Sequence, residues 1–131
     1  MKEVILSCEN LSKTFSNGGV QQHVLKNVGL ELYRGDFTVI MGASGAGKST
    51  LLYALSGMDT PTLGEIRFGS ELISDYSQDK LAVFRRDHCG FVFQQIYLID
   101  GMSVMDNVLS AGLLVNKDKK ALVAKAKELF A

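Results

Sequence analysis

No apolar stretch in this 131-residue chain approaches the roughly 20 residues that a helix needs to cross a bilayer, so no segment is expected to span a membrane. Neither sign of charge is in excess. Lysine plus arginine equals aspartate plus glutamate at 14 each, which leaves none of the basic surplus that polyanion-binding surfaces carry, and no nucleic-acid partner is expected. Cysteine is scarce: Cys8 and Cys89 each lie in an apolar, strand-like stretch, outside any C-x-x-C pair and away from histidine. They read as buried thiols rather than as a disulfide or metal ligands. The only histidines, His23 and His88, have no partner at ligand spacing, so neither a metal nor an acid–base role is expected of them. The N-terminal Met1 to Glu9 carries an acid inside the would-be apolar region and no small-residue cleavage site, which argues against a signal peptide and for a cytosolic protein. Internal repeats and low-complexity tracts are absent.

What the chain does have is an ordinary globular composition, 47% apolar, and enough residues for one domain with a real core, though few for a nucleotide-driven motor. Val4 to Leu11 reads as a strand. Ser16-Asn17-Gly18-Gly19 is a dense turn signal, and Val24 to Leu32 alternates towards its end, so an antiparallel pair or small sheet is expected first. After the Arg34-Gly35-Asp36 turn, the apolar run Phe37-Thr38-Val39-Ile40-Met41 is expected to be a buried strand. A helix should follow from near Lys48 to about Ser56, stopped by Gly57 and followed by a Thr60-Pro61-Thr62 loop. Gly64 to Gly69 reads as a short strand, Ser77 to Arg86 as a helix capped by Ser77, and Cys89 to Phe93 as a second buried strand. The pattern turns helical again at Ser103, and the closing Lys117 to Ala131 places Leu122, Ala126 and Leu129 on one face with lysines opposite.

Between the expected buried strand and the first helix lies Gly42-Ala43-Ser44-Gly45-Ala46-Gly47-Lys48-Ser49, which fits G-x-x-x-x-G-K-[ST] at every fixed position and sits in the strand–loop–helix setting of a phosphate-binding P-loop. Glycines allow the backbone to curl so that several N–H groups aim at one point and form an anion-binding nest. The helix adds its positive N-terminal end, Lys48 can reach the β and γ phosphates, and the Ser49 hydroxyl can ligate a Mg²⁺ that bridges them. The bland alternative is a Gly-rich turn that binds nothing, and the apolar flanks argue against it. The expected nucleotide-contacting set is therefore Gly42, Ala43, Ser44, Gly45, Ala46, Gly47, Lys48, Ser49 and Thr50.

Taken together, Leu11-Ser12-Lys13-Thr14-Phe15, Leu25-Lys26-Asn27-Val28, Gly35 to Gly42, the P-loop, Leu51-Leu52 to Gly57, Gly64-Glu65-Ile66, and Gly90-Phe91-Val92-Phe93-Gln94-Gln95 with Ser103-Val104 and Asn107-Val108 resemble the nucleotide-binding domain of ATP-binding-cassette (ABC) transporters. The resemblance covers essentially the whole chain and is nearest to the macrolide-export, lipoprotein-release and peptide-resistance branch. It implies an α/β P-loop NTPase fold: an antiparallel β portion joined to part of a parallel-sheet core with helices. ATP and Mg²⁺ are the implied ligands. By the same resemblance Phe15 falls where the family has an aromatic residue, usually Tyr, that stacks on adenine; read from the residues alone, Phe15 also suits a core position at a strand end. Gln94 falls on the Q-loop glutamine, which helps to hold Mg²⁺ or orients water near the γ-phosphate, with Gln95 the competing candidate.

The pattern also departs from the family. Its L-S-G-G-Q signature, its four-hydrophobe strand ending in Asp then Glu, and its later switch histidine do not occur here. The resemblance thus implies the N-terminal part of a single nucleotide-binding domain, residues 1–131, cut before the signature, with no catalytic residue to assign. It implies as partners transmembrane permease domains and a second nucleotide-binding domain, and a place on the inner face of the cell membrane through the permease. Two other readings remain at this point. One is a small P-loop kinase, against which some forty preceding residues of β-structure and the lack of an arginine-bearing lid weigh, Arg85-Arg86 reading as a solvated helix end. The other is a nucleotide-binding module without turnover.

Overall fold

Gly18 and Gly19 set the first feature of the architecture. Their backbone φ angles, +57° and +85°, are both left-handed, which is what a two-residue type I′ turn demands and what residues with a Cβ resist. The turn joins two 14-residue strands, β1 (Val4–Asn17) and β2 (Val20–Tyr33), into a long antiparallel hairpin that closes with Asn17 opposite Val20. The hairpin is longer than the alternation suggested. In the computed structural model, which describes Met1–Ala131, the chain divides into two compact units, Met1–Arg85 and Arg86–Ala131.

In the first unit the sheet has order β2-β1-β3-β4, with β3 (Leu63–Phe68) on the free edge of β1 and the two-residue β4 (Glu71–Leu72) beyond it. Every ladder is antiparallel. The ladders are irregular between Cys8 and Leu11, where Asn10 takes a left-handed φ of +51°. Strict alternation would send Cys8 and Leu11 to opposite faces, and the irregularity lets both turn inward. β3 crosses at the same place: a Cβ on Gly64 would lie 2.4 Å from the Asn10 carbonyl oxygen, and Gly64 has φ +101°, so only glycine fits.

Helix α1 (Lys48–Leu55) covers the inner face of the sheet and buries Leu51, Ala54 and Leu55. It ends as the sequence suggested. Gly57 has φ +77°, Gly57 N–H donates to the Ala54 carbonyl and Met58 N–H to the Tyr53 carbonyl, the paired bonds of a Schellman cap. A 3₁₀ turn (Ile73–Asp75) leads into α2 (Gln78–His88), where the Lys80 N–H donates to the expected cap, Ser77 Oγ. Leu81 and Phe84 of α2 join Cys8, Leu11, Leu25, Ile66 and Ile73 in the core, and Phe84 meets Phe68 edge-on at 5.2 Å. Fully burying side chains such as Leu11, Ile66 and Ile73 stabilises the fold by roughly 1.5–3 kcal/mol each. Arg85 is not the solvated helix end that composition suggested: its Nη1 donates to the Gly57 carbonyl at 2.6 Å and so holds α2 to the end of α1.

The second unit holds α3 (Val104–Gly112) and α4 (Lys119–Phe130), capped by Ser103 and Asp118, whose side chains accept from the Asp106 and Ala121 N–H groups. The two helices approach closely at Gly112, where a Cβ would lie 2.8 Å from a Leu122 methyl. On α4, Ala126 is buried and Leu122 half-buried, but Leu129 is exposed, so the expected apolar face is covered as far as Ala126 and not at Leu129.

Two strand expectations require correction. Phe37 to Met41 is not a strand, and Phe37 and Met41 are 94% and 84% exposed; Cys89 to Phe93 is not a strand either, and Val92 lies fully exposed. The α/β class is unaffected, since helices do pack on a sheet. The reason is that an apolar run becomes a buried strand only where neighbours supply ladders at its edges and layers over its faces. All ladders in these 131 residues are spent among β1 to β4, so no parallel pairing forms.

Candidate functional site

The loop between Met41 and α1 is shaped by its glycines. Gly45 and Gly47 have φ +79° and +97°, and the Ala46 N–H donates back to the Ala43 carbonyl, which curls the chain into a tight arch. Gly47 then serves as the N-cap of α1 in a left-handed conformation. β2 lies close against this corner: a Cβ on Gly47 would come within 3.1–3.2 Å of Val24 and Leu25.

A helix leaves its first N–H groups without intrahelical partners, and these are usually met by a capping side chain. α3 and α4 have such caps, whereas no side chain caps α1. The first helical bond runs from the Leu51 N–H to the Gly47 carbonyl, so the N–H groups of Lys48, Ser49 and Thr50 open towards the loop. Lys48 folds back, and its Nζ donates to the Gly42 and Ala43 carbonyls at 2.7 Å each. The Ser49 side chain is exposed and that of Thr50 half-buried. An uncapped helix start, a left-handed glycine corner and a lysine ammonium drawn over the loop form a donor set that suits a polyphosphate. The Ser49 hydroxyl is the oxygen ligand that this arch offers to a hard cation.

Phe15 lies near the far end of β1, opposite Gln22, and is 44% exposed. It is therefore not the core residue that its strand-end position allowed. Lys13, two residues back and so on the same face of the strand, places its Nζ 5.2 Å from the Phe15 ring centroid. The same ammonium donates to the Thr60 carbonyl at 2.7 Å and pairs with the Asp59 carboxylate at 3.1 Å. Sequence reasoning passed over Lys13; the signal that marks it is the i, i+2 spacing to an aromatic residue on one strand.

Gln94 and Gln95 lie in an exposed bend of the second unit. The preceding Phe91 and Phe93 rings stack at 5.7 Å, and Phe93 meets Tyr97 edge-on at 5.1 Å across the bend. Burial does not separate the two glutamines. The P-loop residues and Phe15 thus belong to the first unit and Gln94 to the second.

Comparison with known proteins gives a consistent result. A family model described as ABC transporter matches residues 25–130. The lipoprotein-releasing system ATP-binding protein LolD of Buchnera aphidicola is 38% identical over 92% of this chain and 53% of its own length. An uncharacterized ABC transporter ATP-binding protein of Methanocaldococcus jannaschii, MJ1508, is 38% identical over 96% of this chain and 56% of its own length. Among solved structures, the dimeric post-hydrolysis state of the ATP-binding cassette MJ0796 bound to ADP and Pi superposes with a TM-score of 0.88 at 35% identity, over 95% of this chain and 55% of that one. A second dimeric structure of MJ0796 gives a TM-score of 0.89 with the same identity and coverage. The chain spans about half the length of the curated relatives it matches.

Proposed function

The chain belongs to the ABC transporter family, and from that membership we propose that it is the nucleotide-binding part of an ABC transporter ATPase, residues 1–131 forming the N-terminal portion of that domain. The observation that carries the reading is the uncapped start of α1 together with the Lys48 ammonium on the loop carbonyls, a donor set for the β and γ phosphates of ATP. In this reading the N–H groups from Gly42 to Thr50 cradle the phosphates, and Lys48 exchanges its two carbonyl partners for phosphate oxygens. Ser49 holds Mg²⁺, whose charge offsets that of the polyphosphate, and Gln94, next after Phe93, is the Q-loop glutamine. Phe15 stacks on adenine. The family membership replaces the small-kinase reading.

The names of relatives support the partners. A lipoprotein-releasing system with a separate ATP-binding protein implies permease subunits, and the dimeric cassettes support a second nucleotide-binding domain. The place of action is then the cytoplasmic face of a membrane, reached through the permease; no helix of the chain is long and apolar enough to cross one.

Turnover is a separate matter. Hydrolysis needs the γ-phosphate clamped, the metal held and a water aligned. Lys48 and Ser49 supply part of the clamp and metal site, and Phe91 to Phe93 leads into glutamines rather than an acid that could activate water. The 131-residue chain is therefore proposed to bind MgATP without hydrolysing it. Titration with a fluorescent ATP analogue and a phosphate-release assay test both halves. Saturable binding without steady phosphate release is expected. No binding would remove the functional reading, and hydrolysis that disappears in Lys48→Ala would overturn the claim of a binding-only chain.

A further inference from the structure

We propose that Lys13 is a positioning residue for the nucleobase, acting through the Phe15 ring; the inference rests on the adenine platform proposed above. Lys13 is only 14% exposed, in contrast to the other lysines that form ion pairs, Lys2 and Lys125, at 67% and 62%. Its ammonium satisfies three neighbours at once: the Thr60 carbonyl, the Asp59 carboxylate and the face of the Phe15 ring. The first two belong to the segment that leaves α1, and that segment is itself fixed. Asp59 N–H donates to the Tyr53 carbonyl of α1, Thr60 N–H to the Asp59 carboxylate, and Thr62 N–H to the Ser12 carbonyl of β1. Lys13 therefore ties the strand that carries Phe15 to the far end of the helix that starts at the P-loop.

The consequence for a base is twofold. An exposed phenyl ring on a strand near a hairpin end would otherwise swing between rotamers, and a cation held over one face restricts it. The cation also draws π-density towards itself, so the opposite face presents less negative charge to an electron-rich purine. Neither effect touches the phosphates. Lys13 should therefore matter for nucleotides and not for a polyphosphate that lacks a base.

The test measures affinity by calorimetry for MgATP and for inorganic tripolyphosphate with Mg²⁺. The chains compared are wild type, Lys13→Met, Phe15→Ala and the double variant. Lys13→Met keeps the apolar stem and removes the charge. It is expected to weaken MgATP binding by about three- to tenfold, the range of a cation–π contact, and to leave tripolyphosphate within about twofold. In the Phe15→Ala background the same change should have no further effect on MgATP, because the group through which Lys13 acts is gone. Equal losses for both ligands, or full additivity with Phe15→Ala, would reduce Lys13 to a structural tie and overturn the proposal. A wild-type chain that binds neither ligand overturns the proposed function and this inference with it, whereas a wild type that binds both while Lys13→Met changes nothing overturns the inference alone. Should Lys13→Met fail to fold, Asp59→Asn, which removes the ammonium's one charged partner and keeps the ammonium, must show the same selectivity for MgATP in smaller measure; no selectivity there overturns the proposal equally.

Discussion

Gly47 and Val24 are in direct apposition: a Cβ added to Gly47 would lie 3.1 Å from both the Val24 Cγ1 and the Val24 carbonyl oxygen, at a backbone φ of +97°. The corner that turns the loop into α1 is thus pressed against the second strand of the hairpin, and the hairpin fixes where the helix begins. An L side chain at Gly47 meets two penalties together, a left-handed backbone and a crowded strand.

Gly47→Ala is therefore expected to destabilise the chain by about 2–3 kcal/mol, the left-handed alanine and the overlap each contributing. Urea unfolding followed by circular dichroism reads this directly. An unchanged midpoint would mean that the loop can adopt another path without cost.

Lys48→Ala should do the opposite. Its contacts are to the exposed carbonyls of its own loop, so the unfolding midpoint should move little. MgATP affinity should fall by at least about 1.5–3 kcal/mol, the worth of hydrogen bonds from a charged donor. Titrating wild type and variant with a fluorescent nucleotide decides between this and a binding site elsewhere, which equal affinities would indicate.

Phe15→Ala should weaken ATP and GTP alike, by about 1–3 kcal/mol, since stacking uses a π-face that every base has. Because the ring is partly exposed, folding should be nearly unaffected. Calorimetry with the two nucleotides checks the first point; if neither affinity changes, Phe15 is no platform.

Stability should also depend on pH through Cys8. Burial raises its thiol above the ordinary value of 9.0, with a smaller opposing effect from a backbone hydrogen bond at Leu30. The unfolded thiol ionises first, so the contribution is complete below the unfolded pKa and is lost as pH rises through the folded one. Urea midpoints should therefore fall as pH rises beyond the ordinary thiol value of 9.0 in wild type and fall less in Cys8→Ala. Parallel pH profiles would show that the thiol is not the group responsible.

Local signals carried far in this sequence. The Gly18-Gly19 turn, the Gly57 helix stop, the Ser77 cap and the helix starting after Ser103 all depend on the conformational preferences of one or two residues, and each appears where those residues stand. The tight arch before α1 was legible for the same reason, since it follows from Gly45 and Gly47. Phe37 to Met41 was misread because its burial depends on what lies beside it, and an apolar run states only that it would be stable if covered. Leu129 failed likewise: helical spacing put it on a face but says nothing of how far the neighbouring helix extends. The support of Gly47 by β2 and the bridge from Lys13 to Asp59 join residues distant in sequence, so no window of the sequence contains them.

The bare row of Phe37, Val39 and Met41 has a thermal consequence. Side chains that water already wets in the folded chain add nothing to the heat capacity gained on unfolding, because that gain measures apolar surface newly hydrated. The curve of free energy against temperature should accordingly be flatter than 131 residues would imply, with a shallow maximum and a broad, low-enthalpy melt. Whatever covers that row would sharpen the transition as it raised the melting point, since both follow from the same dehydrated surface.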